Sequence, residues 1–326
     1  MFKPLLSILC LALIGCGDTP LIVGVDDRVD AARARNDAPA IWTVKDFDST
    51  LYLYGTVHLL PDNLDWQKDD MRAAFKESGT VFFEVDTGRD GQIEAAVLMT
   101  SLGMRKDGLR LSDGLDSYQL KLLDAAAHNG DLTIASLDSM KPWLASEFLT
   151  VAAATNAGLS PDLSADEALK SRARREQKNV IYLETIEDQV RVSADQPDSI
   201  QMALLTETLE GFNSLGQDLT TVAKSWAVGR TDFLTREMVV PLKSKSPLFY
   251  DALITKRNET WSQQFVRFME GSGTGFAAVG ASHLLGEDSV NEMLRAQGYE
   301  VSRYYAFQGE GVINPINPTI ERPETE

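Results

Sequence analysis

Two histidines occur in closely similar contexts near opposite ends of the chain. His58 lies in LYLYGTVHLLP, residues 51–61, and His283 lies in GFAAVGASHLLG, residues 275–286. In each case an apolar, strand-like run ends at Gly-x-x-His, which two leucines follow. Imidazole supplies a neutral nitrogen ligand to divalent metals and exchanges protons near neutral pH. A lone Gly-x-x-His indicates little, but its repetition in a chain with three histidines predicts a function for this pair.

A carboxylate inside an apolar run offers a further ligand. Glu84 lies in VFFEVD, residues 81–86, where an unpaired buried charge would be very costly. Glu84 therefore pairs with an internal arginine, binds a metal, or acts as a general base whose pKa is set by its surroundings. Two histidines and one carboxylate with an open position suit a hydrolytic metal site, where the ion polarises a carbonyl and activates water.

One arginine shares a helical face with apolar side chains. Spacings of three and four residues place on this face Leu253, Arg257, Trp261, Phe265 and Phe268. A guanidinium in such surroundings needs a carboxylate or a substrate oxyanion, and Glu84, Asp86 or Glu184 would supply the former. Arg257 is therefore either a structural ion-pair partner or a stabiliser of the transition state, and both interpretations stay open.

Alternating strand-like and helix-like segments position these residues. Predicted strands are the hairpin IWTVKD and TLYLYG, then TVFFEVD, LTIASLD ending at Asp138, NVIYLE ending at Glu184, GFAAVG and YEVSRYY. Predicted helices are Asp62–Ser78, Gln92–Ser101, Leu115–His128, Trp143–Ala157, a helix from a capping box at Ser164 to Gln177, Ile200–Phe212 and Leu219–Val228. His128 is predicted to be a surface residue that favours the dipole of its helix.

This order of elements predicts an α/β fold. A central mixed sheet is flanked by helices, and two strand–Gly-x-x-His–helix–strand units meet around a helical middle section. Ligands in such sheets bind beyond the carboxyl ends of the strands. The predicted strand ends carry four groups able to bind metal or move protons: His58, Glu84, Glu184 and His283.

Composition narrows the class of function. The formal net charge of −17 argues against a nucleic-acid partner, since phosphate binding requires surfaces rich in lysine and arginine. A Gly-x-Ser-x-Gly elbow, a Walker-type loop and a Gly-x-Gly-x-x-Gly motif do not occur. A length of 326 residues favours two domains, but the repeated units lie at opposite ends and have to meet, so a single domain is predicted over residues 41–312.

The first sixteen residues have the pattern of an export signal. Lys3 precedes a short apolar run, and residues 13–16 read Leu-Ile-Gly-Cys, similar to a bacterial lipobox with Cys16 as the lipidated residue. The alternative is an ordinary secretory signal with a chance cysteine. Residues 17–40 are predicted to be a flexible tether and residues 313–326 a disordered tail. These features predict an extracytoplasmic, membrane-anchored protein, facing the periplasm from the outer membrane in a Gram-negative cell.

Several segments resemble the TraB/GumN family, which includes the TIKI proteases. The resemblance extends from Ile41 to Tyr304 and rests on YGTVHLL, VFFEVD, YLETIEDQ, the pair Arg257-Asn258 before Trp261, and VGASHLLGEDSVNEMLRAQGYEV. It implies that two Gly-x-x-His motifs and a glutamate form a divalent metal site, with Mn²⁺- or Co²⁺-dependent peptidase activity in the TIKI members. Carried over to this chain, the ligands are His58, Glu84 and His283, with Arg257 and Asn258 as site supports. Glu184 and Gln189 match a further recurrent block.

The sequence therefore predicts a divalent-metal-dependent hydrolase that acts on peptide bonds. The metal ligands are His58, Glu84 and His283, and the partners are a peptide or small-molecule substrate and, through the lipid anchor, a membrane. One alternative is a metal-independent hydrolase in which His58 or His283 is the general base and Glu84 orients it. The other is a non-catalytic lipoprotein that binds peptide, haem or metal.

Overall fold

A computed structural model describes residues 38–306. Its strands are β1 (Ile41–Lys45), β2 (Ser49–Thr56), β3 (Leu60–Pro61), β4 (Thr80–Phe83), β5 (Leu159–Ser160), β6 (Asn179–Tyr182), β7 (Gly273–Gly280) and β8 (Glu300–Arg303). Six of them form one mixed sheet in the order β6-β4-β7-β2-β1-β8, and β3 pairs with β5. The predicted α/β class with a central mixed sheet is confirmed.

Helices surround the sheet and fill the middle of the chain. They are α1 (Asp69–Glu77), α2 (Arg89–Gly103), α3 (Ser117–Asn129), α4 (Ile134–Asp138), α5 (Pro142–Asn156), α6 (Ala165–Arg175), α7 (Ile186–Ala194), α8 (Asp198–Ala227), α9 (Thr231–Leu234), α10 (Val240–Lys245), α11 (Pro247–Tyr250), α12 (Lys256–Met269) and α13 (Val290–Ala296). Single 3₁₀ turns cover Leu111–Gly114, Pro161–Leu163 and Ala281–Leu284, and π turns cover Thr235–Val239 and Asp251–Thr255. Between residues 38 and 306, none of these helices combines the length and apolarity needed to cross a bilayer.

Strand register brings the two histidine motifs together. β2 and β7 are parallel neighbours, and their last residues, Thr56 and Gly280, pair directly. β4 runs parallel to β7 and to β6, with Phe83 opposite Ala278 and Tyr182. Four adjacent parallel strands therefore end at one edge of the sheet. The residues that follow these ends are the predicted ones: His58, Glu84, Glu184 and His283.

Within residues 38–306, the core consists of two hydrophobic clusters. One surrounds the sheet, where the Trp226 indole donates to the Gly55 carbonyl at 2.7 Å and packs on Trp66 and Tyr54. The other joins the helices of the middle section, above all α5 and α8. A Cβ on Gly216 of α8 would lie only 2.6 Å from the Ala153 carbonyl oxygen. This glycine therefore allows close helix packing.

Three elements predicted from the sequence differ from the structure in extent or type. The two helices predicted at 200–212 and 219–228 form one 30-residue helix, α8, because Gly216 between them serves packing and does not interrupt it. The segment LTIASLD is helical from Ile134 to Asp138, since the Thr133 side chain accepts from the Ser136 amide as an N-cap. The helix predicted from Asp62 begins at Asp69, and the residues before it form an irregular segment that buries Trp66.

Several predictions fall wholly or partly outside the described residues. These are the signal segment 1–16 with its lipid site at Cys16, all but the last three residues of the tether 17–40, and the tail 313–326. The domain boundaries at 41 and 312 also stay predictions.

Candidate active site

Glu84 lies one residue beyond β4, in the middle of the sheet edge where the parallel strands end. Its Oε1 accepts from the Gly280 amide at 2.6 Å, and its Oε2 accepts from Arg257 Nη2 at 2.9 Å and Gln189 Nε2 at 3.1 Å. Burial raises the pKa of Glu84, but the positive charges around it, above all that of Arg257, outweigh burial and hold that pKa below its usual value. Glu84 is therefore an ion-paired carboxylate.

Arg257 contacts two glutamates that follow strand ends, Glu84 and Glu184. Its Nε and Nη2 donate to the Glu184 carboxylate at 2.9 and 2.7 Å, and Nη2 also donates to Glu84. Its Nη1 donates to the carbonyl of Leu253, which lies in the π turn before α12. Burial raises the pKa of Glu184, and Arg257 opposes that rise only in part. The predicted buried arginine thus pairs with two of the three carboxylates expected for it.

His283 is fully buried against the ring of Trp261, with ring centroids 4.4 Å apart. Its Nδ1 lies 2.7 Å from Asn258 Oδ1. The Asn258 amide nitrogen donates to the carbonyls of His283 and Asp288, so Oδ1 has to be the acceptor and Nδ1 carries the proton. Burial and the charge of Arg257 hold the pKa of His283 well below 6.5. The ring is therefore neutral, with its lone pair on Nε2.

His58 faces a carboxylate that the sequence interpretation did not assign. Its Nδ1 lies 2.9 Å from Asp166 Oδ2, and Thr56 Oγ1 donates to the other oxygen of Asp166 at 2.8 Å. Burial raises the pKa of Asp166, but His58, Lys170 and Thr56 together outweigh burial and keep that pKa below its usual value. An ionised carboxylate at Nδ1 favours the tautomer of the neutral His58 ring that has its lone pair on Nε2.

Asp166 was missed because it lies in a helix start. Ser164 caps α6 by accepting from the Glu167 amide, as predicted, whereas the Glu167 carboxylate accepts from Thr87 instead of completing a capping box. Asp166 lies between these residues and turns inward. The available signal was a second acidic residue in the first helical turn, but acidic residues there usually only complement the helix dipole.

Of the remaining residues singled out from the sequence, Gln189 belongs to the site, whereas Asp86 and His128 do not. Gln189 Nε2 bridges Glu84 and Glu184 at 3.1 and 3.3 Å, and its Oε1 is buried without a hydrogen-bond partner in the described part of the chain. Asp86, expected as a partner of Arg257, instead accepts from Tyr182 at the sheet edge. His128 is exposed in the last turn of α3, as predicted.

Comparison with known proteins decides the family. The model of the TraB/PrgY/gumN family matches residues 40–303. The chain belongs to this family. Protein YbaP of Escherichia coli is 27% identical over 185 residues, which cover 57% of this chain and 68% of YbaP, and YbaP of Shigella flexneri matches equally. The metalloprotease TIKI1 of zebrafish is 25% identical over 318 residues, 82% of this chain and 63% of TIKI1. No solved structure matches significantly.

The divalent metal implied by this family can be tested against the residues present. A Cβ built on Gly280 would lie 3.2 Å from Glu84 Oε1, 3.5 Å from His58 Nε2 and 3.5 Å from His283 Cδ2. The three predicted ligands therefore lie together around Gly280, where an added methyl group would be tight against Glu84 only. Their donor types fit a divalent ion. Among residues 38–306, however, no group of three His, Cys, Asp or Glu side chains stands close enough to enclose an ion in this arrangement.

Proposed function

We propose that this protein is a hydrolase of peptide bonds that uses a divalent metal, Mn²⁺ or Co²⁺, held by His58, His283 and Glu84. The single observation that carries the proposal is the common orientation of the two imidazoles. Nδ1 of each ring lies close to an oxygen, Asp166 Oδ2 at 2.9 Å or Asn258 Oδ1 at 2.7 Å, which favours in each ring the neutral tautomer with its lone pair on Nε2. Metal-binding histidines are usually held in this way.

The other buried groups have roles that follow from their contacts. When bound, the metal would polarise a substrate carbonyl and lower the pKa of a water molecule. Arg257, paired with Glu184, supplies a positive charge for the oxyanion that forms during hydrolysis. Glu84, held ionised, would instead accept a proton from the attacking water if it does not bind the metal. Gln189 Oε1 offers an acceptor to a substrate N–H group.

A metal-independent hydrolase is the second candidate. Its support is the pair of His58 and Asp166, because a carboxylate at Nδ1 orients an imidazole as a general base. Of the two motif histidines, His58 is also the less buried, at 8% exposure against 0% for His283. In this mechanism Arg257 alone would stabilise the oxyanion.

Calorimetric titration of Mn²⁺ and Co²⁺ into chelator-treated protein tests the first candidate. The wild type should bind one ion, and His58→Ala and His283→Ala should each abolish saturable binding. The exposed His128→Ala is the matched control and should bind as the wild type does. Peptide-library cleavage that a chelator stops and Mn²⁺ restores would support a metallopeptidase. Cleavage that is insensitive to chelators but lost in His58→Ala would select the metal-independent mechanism, and no cleavage would favour a binding protein.

We also propose that Cys16 carries lipid and anchors the protein outside the cytoplasm. The support is the Leu-Ile-Gly-Cys sequence at the end of a short apolar run. Labelling cells with radioactive palmitate should mark the wild type and Cys10→Ser, but not Cys16→Ser. Equal labelling of the two variants would remove the anchor proposal without affecting the active-site proposal.

A further inference from the structure

The neutral ring of His283 has one nitrogen lone pair available for bonding, and it already accepts a hydrogen bond from Arg257. The Nη1 group of Arg257 lies 3.0 Å from His283 Nε2. Since Nδ1 of this ring carries its proton toward Asn258, Nε2 is the acceptor in that contact. A metal ion would need the same lone pair at about 2.0–2.1 Å. The hydrogen bond from Arg257 and a metal bond at His283 therefore exclude each other.

The same guanidinium also contacts a second predicted ligand. Nη2 of Arg257 donates to Glu84 Oε2 at 2.9 Å, so the cation bridges the carboxylate and one imidazole of the predicted metal site. A divalent metal bound to the same ligands would place two further positive charges next to that of the guanidinium. At such separations, and with little water in the site, like charges repel strongly. Arg257 thus neutralises the ligands in the arrangement described above.

Arg257 has a second carboxylate to hold it if it leaves these ligands. Glu184 accepts from both Nε and Nη2 in a two-point contact, and Leu253 O accepts from Nη1. Paired N–H donors on one carboxylate form the strongest arginine contact. Release of His283 and Glu84 would therefore leave the guanidinium paired with Glu184, without sending a charge into the apolar core.

We propose that Arg257 is a built-in competitor for the metal site. It occupies Glu84 and His283 while no ion is bound, and when a divalent ion binds it gives up these two contacts and keeps those with Glu184 and Leu253. This inference rests on the proposed metal function and adds that the affinity for the ion is held down by an internal cation. It explains why the ligand types fit a metal while their arrangement encloses none.

The test compares Mn²⁺ binding by the wild type and Arg257→Gln, in the full-length protein. Glutamine has no charge and is too short to bridge Glu84 and His283, so the variant should bind Mn²⁺ about tenfold tighter or more. Its melting temperature should fall without metal, because Glu84 and Glu184 lose their cation, and should rise more than that of the wild type on adding Mn²⁺. Arg267→Gln, an exposed change on the same helix, is the matched control and should alter neither quantity.

The outcomes separate this inference from the proposed function. Unchanged or weaker binding by Arg257→Gln, with saturable binding by the wild type, would overturn the competitor role and leave the metal site intact. Absence of binding by both proteins would overturn the metal site itself.

Should Arg257→Gln fail to fold, the wild type still decides the question. Nitrogen-15 NMR with diamagnetic Zn²⁺ should show His283 Nε2 exchanging its hydrogen bond for a metal bond, and the Arg257 Nη1 protons shifting at the same titration point. Zinc binding that leaves the Arg257–His283 hydrogen bond in place would contradict the proposal.

Discussion

The two Gly-x-x-His motifs lie on adjacent parallel strands, yet their histidines have opposite surroundings. His58 faces the ionised carboxylate of Asp166 and keeps a small exposed surface. His283 is fully buried, faces the neutral amide of Asn258 and lies against the cation of Arg257. One ring is therefore held by a negative charge, and the other is kept neutral by an amide and a nearby positive charge.

This difference shows that a repeated motif need not give two equivalent ligands. A carboxylate at Nδ1 makes an imidazole a stronger base and a stronger metal ligand than an amide does. His58 is therefore the ring better suited to hold an ion or a proton, and His283 is the ring whose availability other groups control. Changes that exchange or remove these surroundings should reveal the asymmetry.

The largest effect is expected when the amide beside His283 becomes a carboxylate. Asn258→Asp would remove the donors to the carbonyls of His283 and Asp288 and bury a new charge among acceptors. We expect the free energy of unfolding to fall by about 3–5 kcal/mol, measured by urea denaturation. The exposed Asn63→Asp is the control. A loss below about 1 kcal/mol would mean that His283 accepts a charged partner as readily as His58 does.

The reverse exchange at His58 should affect metal binding more than folding. Asp166→Asn keeps an oxygen for Thr56 but removes the charge that favours one His58 tautomer. We expect Mn²⁺ affinity to fall about 10–100-fold, measured by calorimetry. Asp162→Asn, an exposed change before the same helix, should leave affinity unchanged. If Asp166→Asn bound Mn²⁺ as the wild type does, the two motifs would be equivalent after all.

Substitutions of the two motif glycines, Gly55 and Gly280, should affect different properties, the first mainly stability and the second mainly Mn²⁺ affinity. A Cβ on Gly55 would lie 3.0 Å from the Ala281 backbone, so Gly55→Ala should cost about 1–3 kcal/mol of stability. A Cβ on Gly280 would meet only side chains, at 3.2–3.5 Å, and would fill the space between the predicted ligands. Gly280→Ala should therefore lower Mn²⁺ affinity with a smaller loss of stability. Thermal unfolding measures the stability of the variants and calorimetry their Mn²⁺ affinity, with Gly79→Ala as the unhindered control. An equal loss of stability in Gly55→Ala and Gly280→Ala would contradict this prediction.

The sequence predicted the sheet edge better than the helical middle. Strand-end residues were placed correctly because apolar runs that stop at glycine or an acidic residue have few other interpretations in an α/β chain. The break predicted within α8 was wrong because a glycine that permits close contact with α5 has the same local pattern as one that ends a helix.

The contacts within the site were only partly predictable. Glu84 needed a cation and Arg257 needed a carboxylate, so their pairing follows from the cost of burying either alone. Asp166 was not predictable, because its role depends on which side of α6 meets the end of β2, and strand pairing at long range decides that. The π turn before α12, whose Leu253 carbonyl accepts from the same Arg257 Nη1 that contacts His283, was not predicted from the sequence.

The smallest expected effect concerns acid stability and isolates His283. Its pKa in the folded protein lies well below the usual 6.5, so as pH falls below 6.5 the unfolded chain binds a proton that the folded protein does not. The stability that this ring contributes should therefore decline from pH 6.5 toward pH 5, by up to about 1.4 kcal/mol per pH unit. The lowered pKa values of Glu84 and Asp166 matter only at more acidic pH. Burial raises the pKa of Glu147 to about 8 and also raises that of Glu184, so these two groups stabilise the protein as pH falls, and only the comparison with a His283 variant isolates the ring.

His283→Gln should remove that part of the slope, whatever it costs in absolute stability, because glutamine has no proton to gain. His128→Gln, an exposed change, should leave the slope as in the wild type. The measurement is the free energy of unfolding in urea at several pH values between 5 and 8, with a chelator present so that metal binding does not contribute. A slope unchanged by His283→Gln would show that this ring takes up its proton equally in the folded and unfolded states. The assignment of a neutral His283 ring would then be wrong. The proposal that Arg257 and a metal compete for its single lone pair would fail with it.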